Sequence, residues 1–179
     1  MGGKIIGTSS AWKHQNLKTM GVHHCIDYRT DNIYQKVMEY TEGHGADLII
    51  DPMGSKNWKI SYKCLSKMGK LVIFGDQNFV KGKSFSLLAS LKELFSMPKF
   101  RPVDLMNRNK SVMGYHLGRL TGSEYKIQQA AAALFDLAGD GKIKPVIDRV
   151  FPFTEADKAH AYIQDRKNFG KVLLDFREK

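Results

Sequence analysis

Residues 45–55 read GADLIIDPMGS: a glycine, a run of β-formers and a sharp polar stop. The run at 47–51 (DLIID) predicts a strand, and Asp51-Pro52-Met53-Gly54 turns the chain after it. Working upstream, Ile33, Val37, Met38 and Tyr40 fall near helical spacing within 32–41, with Gly43 beyond them. Before that helix comes a short strand at 24–28 (HCIDY), then a helix at 11–20 stopped by Gly21, then a buried strand at 4–7 (KIIG). Working downstream, 56–65 reads as a helix ending before Gly69, and 70–74 (KLVIF) as a strand closed by Gly75. Alternating strands and helices imply parallel strands with crossover helices, and fully apolar strand cores suit a sheet covered on both faces. The fold class expected is therefore α/β, a doubly wound parallel sheet, whose ligands sit beyond the carboxyl ends of the strands.

The second half is less regular. Segment 84–97 looks helical, and Pro98 and Pro102 break the chain after it. A strand is expected at 110–115, a strong helix at 123–138 with Ser123 as cap, and an extended segment at 146–151. A helix at 154–165 capped by Thr154 and a final strand at 170–176 complete the chain. There is no internal repeat.

The composition, 42% hydrophobic and 26% charged, is that of a globular protein, and no run approaches the length of a membrane span. The first residues lack the pattern of a signal peptide, and the only cysteines, Cys25 and Cys64, read as reduced thiols; both point to the cytoplasm. The net charge of +10 favours anionic partners without choosing among them. The cations are scattered and no nucleic-acid-binding motif is present, so nucleic acid is not an expected partner. Zinc is not expected either: His23, His24 and Cys25 are contiguous, and no Cys-x-x-Cys occurs.

At the end of the first strand a dinucleotide site for NAD normally carries an acid for the ribose 2′-hydroxyl. Here stand Thr8, Ser9 and Ser10, with Lys13 following and no carboxylate before Asp27. Hydroxyls and an ammonium suit a 2′-phosphate, and Tyr28 and Arg29 at the next strand end could close the same pocket. The plainer alternative is that Ser9 and Ser10 cap a helix and Lys13 is solvated. The turns after the third and fourth strands, at 51–54 and at Gly75-Asp76-Gln77-Asn78, could present backbone groups to a nicotinamide amide, or be ordinary turns.

IIGTSSAWKH, the Gly-Val-x-His-x-Ile-Asp-Tyr run of 21–28, GADLIIDPMGS, LSKMGKLVIFG, GDGKIKPVIDRVFPFTEADKAHAYI and NFGKVLLDF together resemble the medium-chain dehydrogenase/reductase superfamily, in its zinc-free quinone oxidoreductase branch. DPMGS and VMGYHLGRL are most similar to the vesicle amine transport protein homologues within that branch. The resemblance implies an enzyme, an NADPH-dependent reductase of quinones or α,β-unsaturated carbonyls. It implies that Ser9, Ser10, Lys13 and Tyr28 grip the 2′-phosphate. Gly75, Asp76, Tyr115 and His116 would lie near the nicotinamide, and Asn168, Phe169, Gly170 and Lys171 would form the late cofactor-contact motif. It names no secure catalytic residue.

Against that resemblance, the glycine-rich turn that holds the pyrophosphate, with its strand and helix, is expected upstream of Gly2, as is a GroES-like substrate domain. The expected organisation is a truncated dinucleotide-binding domain at 1–143 and a segment at 144–179 that returns to the absent domain. The missing strand would be the central one of the sheet. Exposed apolar edges, homo-oligomerisation and catalytic silence of this chain by itself follow as expectations. The alternative function is a membrane-surface or protein-interaction module, resting on 80–102, where basic and apolar residues mix: VKGKSFSLLASLKELFSMPKFRP.

Overall fold

The computed structural model describes residues 2–75 and 97–177. They form two compact units, Met1–Arg119 and Leu120–Lys179.

In the first unit, β1 (Ile6–Ser9) leads through a 3₁₀ turn (Ala11–Lys13) into α1 (His14–Thr19) and then β2 (His24–Asp27). Next come α2 (Ile33–Tyr40), β3 (Ala46–Asp51), α3 (Ser55–Cys64), β4 (Leu65–Ile73), α4 (Pro102–Arg108) and β5 (Ser111–Gly114). All pairings are parallel, with β1 on β2, and β3 on β4 on β5. This is the α/β architecture the sequence implies. Among the described residues the strands form two parallel groups, β1–β2 and β3–β4–β5, which do not pair with each other.

Ile26, Val37 and Cys64 form the buried centre, with Ile6, Ile33, Ala46, Ile49 and Ile60 packed against it. They come from both strand groups and from α2 and α3, so one core serves the unit. Asn32 caps α2, its side chain accepting from the Gln35 N–H at 3.1 Å. Leu48 and Ile50, which share one face of β3, are more than half exposed.

The second unit holds α5 (Glu124–Gly139), β6 (Ile147–Pro152), α6 (Ala156–Gln164) and β7 (Lys171–Asp175), with β6 and β7 parallel. Phe151 and Ala159 are its buried residues.

Several boundaries differ from expectation. The first strand runs two residues further along than 4–7, because it is defined by pairing with His24–Asp27. The fourth starts at Leu65, directly after α3, because Leu65 bridges Ala46 before the regular ladder resumes at Lys70. Pro102 does not simply break the chain: it occupies the first turn of α4, where proline's fixed φ suits a helix and its missing N–H is no loss. Neither Ser123 nor Thr154 caps with its side chain: the Glu124 carboxylate takes the Gly122 N–H instead, and a 3₁₀ turn (Phe153–Glu155) precedes α6. The helix expected at 84–97 and most of the basic-apolar segment 80–102 lie outside the described residues, as does Asp76. No helix among the described residues is long and apolar enough to cross a membrane.

Candidate functional site

Parallel pairing sets Ser9 against Asp27, so the carboxyl ends of β1 and β2 emerge side by side. Ser10 and Tyr28, each one residue past its strand, meet there, with Ser10 Oγ 3.2 Å from Tyr28 Oη. Ser10 is 3% exposed, so its hydroxyl is committed to Tyr28 and positions that ring. Ser9 is half-buried, its hydroxyl donating to the Ser10 carbonyl at 3.2 Å. Lys13 closes the 3₁₀ turn, its N–H donating to the Ser10 carbonyl and its Nζ lying 5.1 Å from the Trp12 ring centroid. The Arg29 guanidinium sits 5.9 Å from the Tyr28 ring centroid. The four expected 2′-phosphate residues thus gather at one strand end. Ser10 acts through Tyr28 and does not itself face outward.

Sequence reasoning treated Asp27 only as a distant carboxylate. Its Oδ2 accepts the Ala11 N–H at 3.3 Å and its Oδ1 the Arg29 N–H at 3.0 Å, which pins both strand-end turns. The Asp27 N–H in turn donates to Asp31 Oδ2 at 2.9 Å. The signal was available in the parallel register, because an acid at the end of β2 necessarily neighbours the end of β1.

A second cluster forms at the carboxyl ends of β3, β4 and β5. Asp51 is 5% exposed. Its Oδ1 accepts the Met53 N–H at 2.7 Å and its Oδ2 the Ser61 hydroxyl at 2.6 Å. The carboxylate therefore clamps the Asp51-Pro52-Met53-Gly54 turn to α3, and the Met53 N–H is engaged within the protein. Gly75 packs on this turn: a Cβ there would lie 3.3 Å from the Pro52 carbonyl oxygen. Tyr115 donates its N–H to the Ile73 carbonyl at 2.8 Å and is exposed just past β5, and exposed His116 follows it. Gly75, Tyr115 and His116 thus stand at the edge where the sequence expected the nicotinamide.

Asn168, Phe169, Gly170 and Lys171 belong to the second unit. They form the turn into β7, with Asn168 Nδ2 donating to the Gly170 carbonyl at 2.9 Å and the Lys171 N–H to the Val146 carbonyl at 2.8 Å. Gly170 has φ +113°, and a Cβ there would run into the Val146 carbonyl, so the position requires glycine.

Among the described residues no three His, Cys, Asp or Glu side chains converge. His24 stacks on Tyr40 at 4.2 Å, and the His23 Nδ1 accepts the Ile5 N–H. Burial pushes the Cys64 thiol from 9.0 up to about 11, the Lys110 ammonium only partly opposing it. Cys64 is a core residue, not a nucleophile.

A family model described as zinc-binding dehydrogenase matches residues 20–174, most of the chain. The human synaptic vesicle membrane protein VAT-1 homolog is 36% identical over 170 residues, which cover 95% of this chain and 43% of that protein. A quinone oxidoreductase of Pseudomonas aeruginosa is 29% identical over 176 residues, which cover 97% of this chain and 49% of that protein.

 Among solved structures, a 2-haloacrylate reductase is 26% identical with a TM-score of 0.72, covering 98% of this chain and 51% of that one. The Escherichia coli quinone oxidoreductase complexed with NADPH is 24% identical with a TM-score of 0.73, a likeness of fold. The chain spans less than half the length of the curated relatives it matches.

Proposed function

Because the chain belongs to the zinc-binding dehydrogenase family, we propose that it is the cofactor-holding part of an NADPH-dependent reductase acting on quinones or α,β-unsaturated carbonyls. The observation that carries the cofactor is the meeting of Ser10 and Tyr28 at the paired ends of β1 and β2, with Ser9 and Lys13 alongside. Tyr28, held by Ser10, flanks the adenosine phosphate. Lys13 and Arg29 supply its counter-charge, and the Ser9 hydroxyl turns from the Ser10 carbonyl to bond it. Gly75, Tyr115 and His116 border the nicotinamide. Bound NADPH would supply the hydride; the residues named here bind and orient it. The reaction class draws on two relatives, one a quinone oxidoreductase and one a reductase of 2-haloacrylate, a conjugated alkene. Although the family's description names zinc, these residues do not fit that ion, and no step is assigned to it.

The test uses the adenosine end of the cofactor. Adenosine 2′,5′-bisphosphate and 5′-AMP are titrated into the chain and followed by NMR. The bisphosphate is expected to bind more tightly, and Lys13→Ala to weaken it by about 1.5–3 kcal/mol, the range for a charge-assisted contact, with little effect on 5′-AMP. Equal affinities, or equal losses for both ligands, would overturn the assignment.

A further inference from the structure

The C-terminal half of α3 and the chain from Pro98 to Arg108 line an open cavity of about 320 Å³. Lys59, Lys63, Lys99 and Arg108 line it, against a single acid, Asp104. None of these four cations enters an ion pair among the described residues. Like charges lining one cavity repel one another, and an anion among them relieves that repulsion. The wall between them is aromatic. Tyr62 and Phe100 both line the cavity, with ring centroids 5.3 Å apart and tilted by 53°. The Tyr62 Oη is buried and has no hydrogen-bond partner among the described residues, a hydroxyl withdrawn from water. A fifth cation, Lys110, is used differently: its Nζ donates to the Tyr62 carbonyl at 3.1 Å and lies 5.2 Å from that ring, fixing the wall in place.

We propose that this cavity binds a small organic phosphate, a flat apolar group carrying one phosphate. The aromatic pair takes the apolar body and the four cations take the anion, Arg108 by its planar fork and the lysines as point charges. The volume is at the lower end of the range for small-molecule pockets, about 300–1,000 Å³, which suits a ligand of one or two rings. The second half of α3 leads into the amino end of β4, so the cavity lies toward the opposite end of the strands from the cluster at Gly75 and Tyr115. It is independent of the cofactor reading.

Phenyl phosphate, inorganic phosphate and phenol are titrated into the 179-residue chain by calorimetry at low salt. Phenyl phosphate is expected to bind saturably at one site. Losing either the ring or the phosphate, or making the double change Lys63→Ala and Arg108→Ala, is expected to weaken binding by about tenfold or more, as loss of a charged or buried contact does. Lys63 and Arg108 are exposed, and circular dichroism verifies that the variant keeps its fold. The change Lys4→Ala with Lys18→Ala removes the same charge from exposed positions outside the cavity and is expected to leave binding intact. Four results would each overturn the proposal: no saturable binding, inorganic phosphate binding as tightly as phenyl phosphate, no loss in the cavity variant, or equal losses in both double variants.

Discussion

Replacing Asp51 tests how the turn beneath the second cluster is held. The carboxylate is 5% exposed and accepts two short hydrogen bonds, from the Met53 N–H at 2.7 Å and from the Ser61 hydroxyl at 2.6 Å. Hydrogen bonds to a charged group contribute about 1.5–3 kcal/mol each. Met53 and Ser61 are only half-buried, so water reaches the groups that Asp51→Ala releases, and the lower figure applies to each. The sum is about 3 kcal/mol, or a fall in melting temperature of about 6–12 °C for a chain of this size. Asp51→Asn is the informative contrast. Its carbonyl oxygen can still accept from Met53, and its amide can donate to Ser61 once that hydroxyl rotates. Only the charge assistance is lost, about 1 kcal/mol. Urea unfolding followed by tryptophan fluorescence reads the correct unit, because Trp12 and Trp58 both lie within Met1–Arg119. An Asp51→Asn variant as unstable as Asp51→Ala would refute the two-bond account.

Three further outcomes follow from the same geometry. Gly45→Ala should cost about 3 kcal/mol or more, combining left-handed strain at φ +85° with a Cβ 2.7 Å from the Cys64 carbonyl oxygen. Gly43→Ala, at φ +84° in open space, should cost only the strain, about 1–2 kcal/mol, and similar urea midpoints for the two variants would contradict this. Tyr62→Phe should stabilise the ligand-free chain by about 1 kcal/mol, because it removes a buried hydroxyl that has no partner among the described residues; a clear loss of stability in the same assay would count against that. Iodoacetamide should leave Cys64 unmodified in the native chain until the pH nears 11, while the unfolded chain reacts from near 9; mass spectrometry after alkylation at pH 9.0 distinguishes the two.

Most of the first unit was legible because its signals are local. A run such as DLIID cannot satisfy a helical face, and the glycine after each element marks where the chain must turn. What failed was whatever depends on a neighbour. The ends of β1 and β4 are set by hydrogen-bonded partners, His24–Asp27 and Ala46, and not by their own residues. Ser123 has the right chemistry for a cap, but Glu124 reaches back to the Gly122 N–H, which leaves the serine unused. Pro102 reads as a breaker along the chain and acts as a helix starter once Arg101 before it is extended.

The candidate site shows the same division more sharply. Read along the chain, the end of the first strand carries hydroxyls and a lysine with no acid, which leaves a phosphate unopposed. In the fold, parallel register brings Asp27 beside Ser9, so a carboxylate does stand at that strand end. Its two oxygens accept from the Ala11 and Arg29 N–H groups. Hydrogen bonding of this kind spreads the charge over backbone dipoles without abolishing it. A 2′-phosphate arriving beside Tyr28 would therefore meet Lys13 and Arg29 set against a partly neutralised Asp27. Its binding would reflect the difference between those charges, and not the full attraction of either cation. A preference for a phosphorylated ribose would be a property of the pair of strand ends, which no scan of either strand by itself could have weighed.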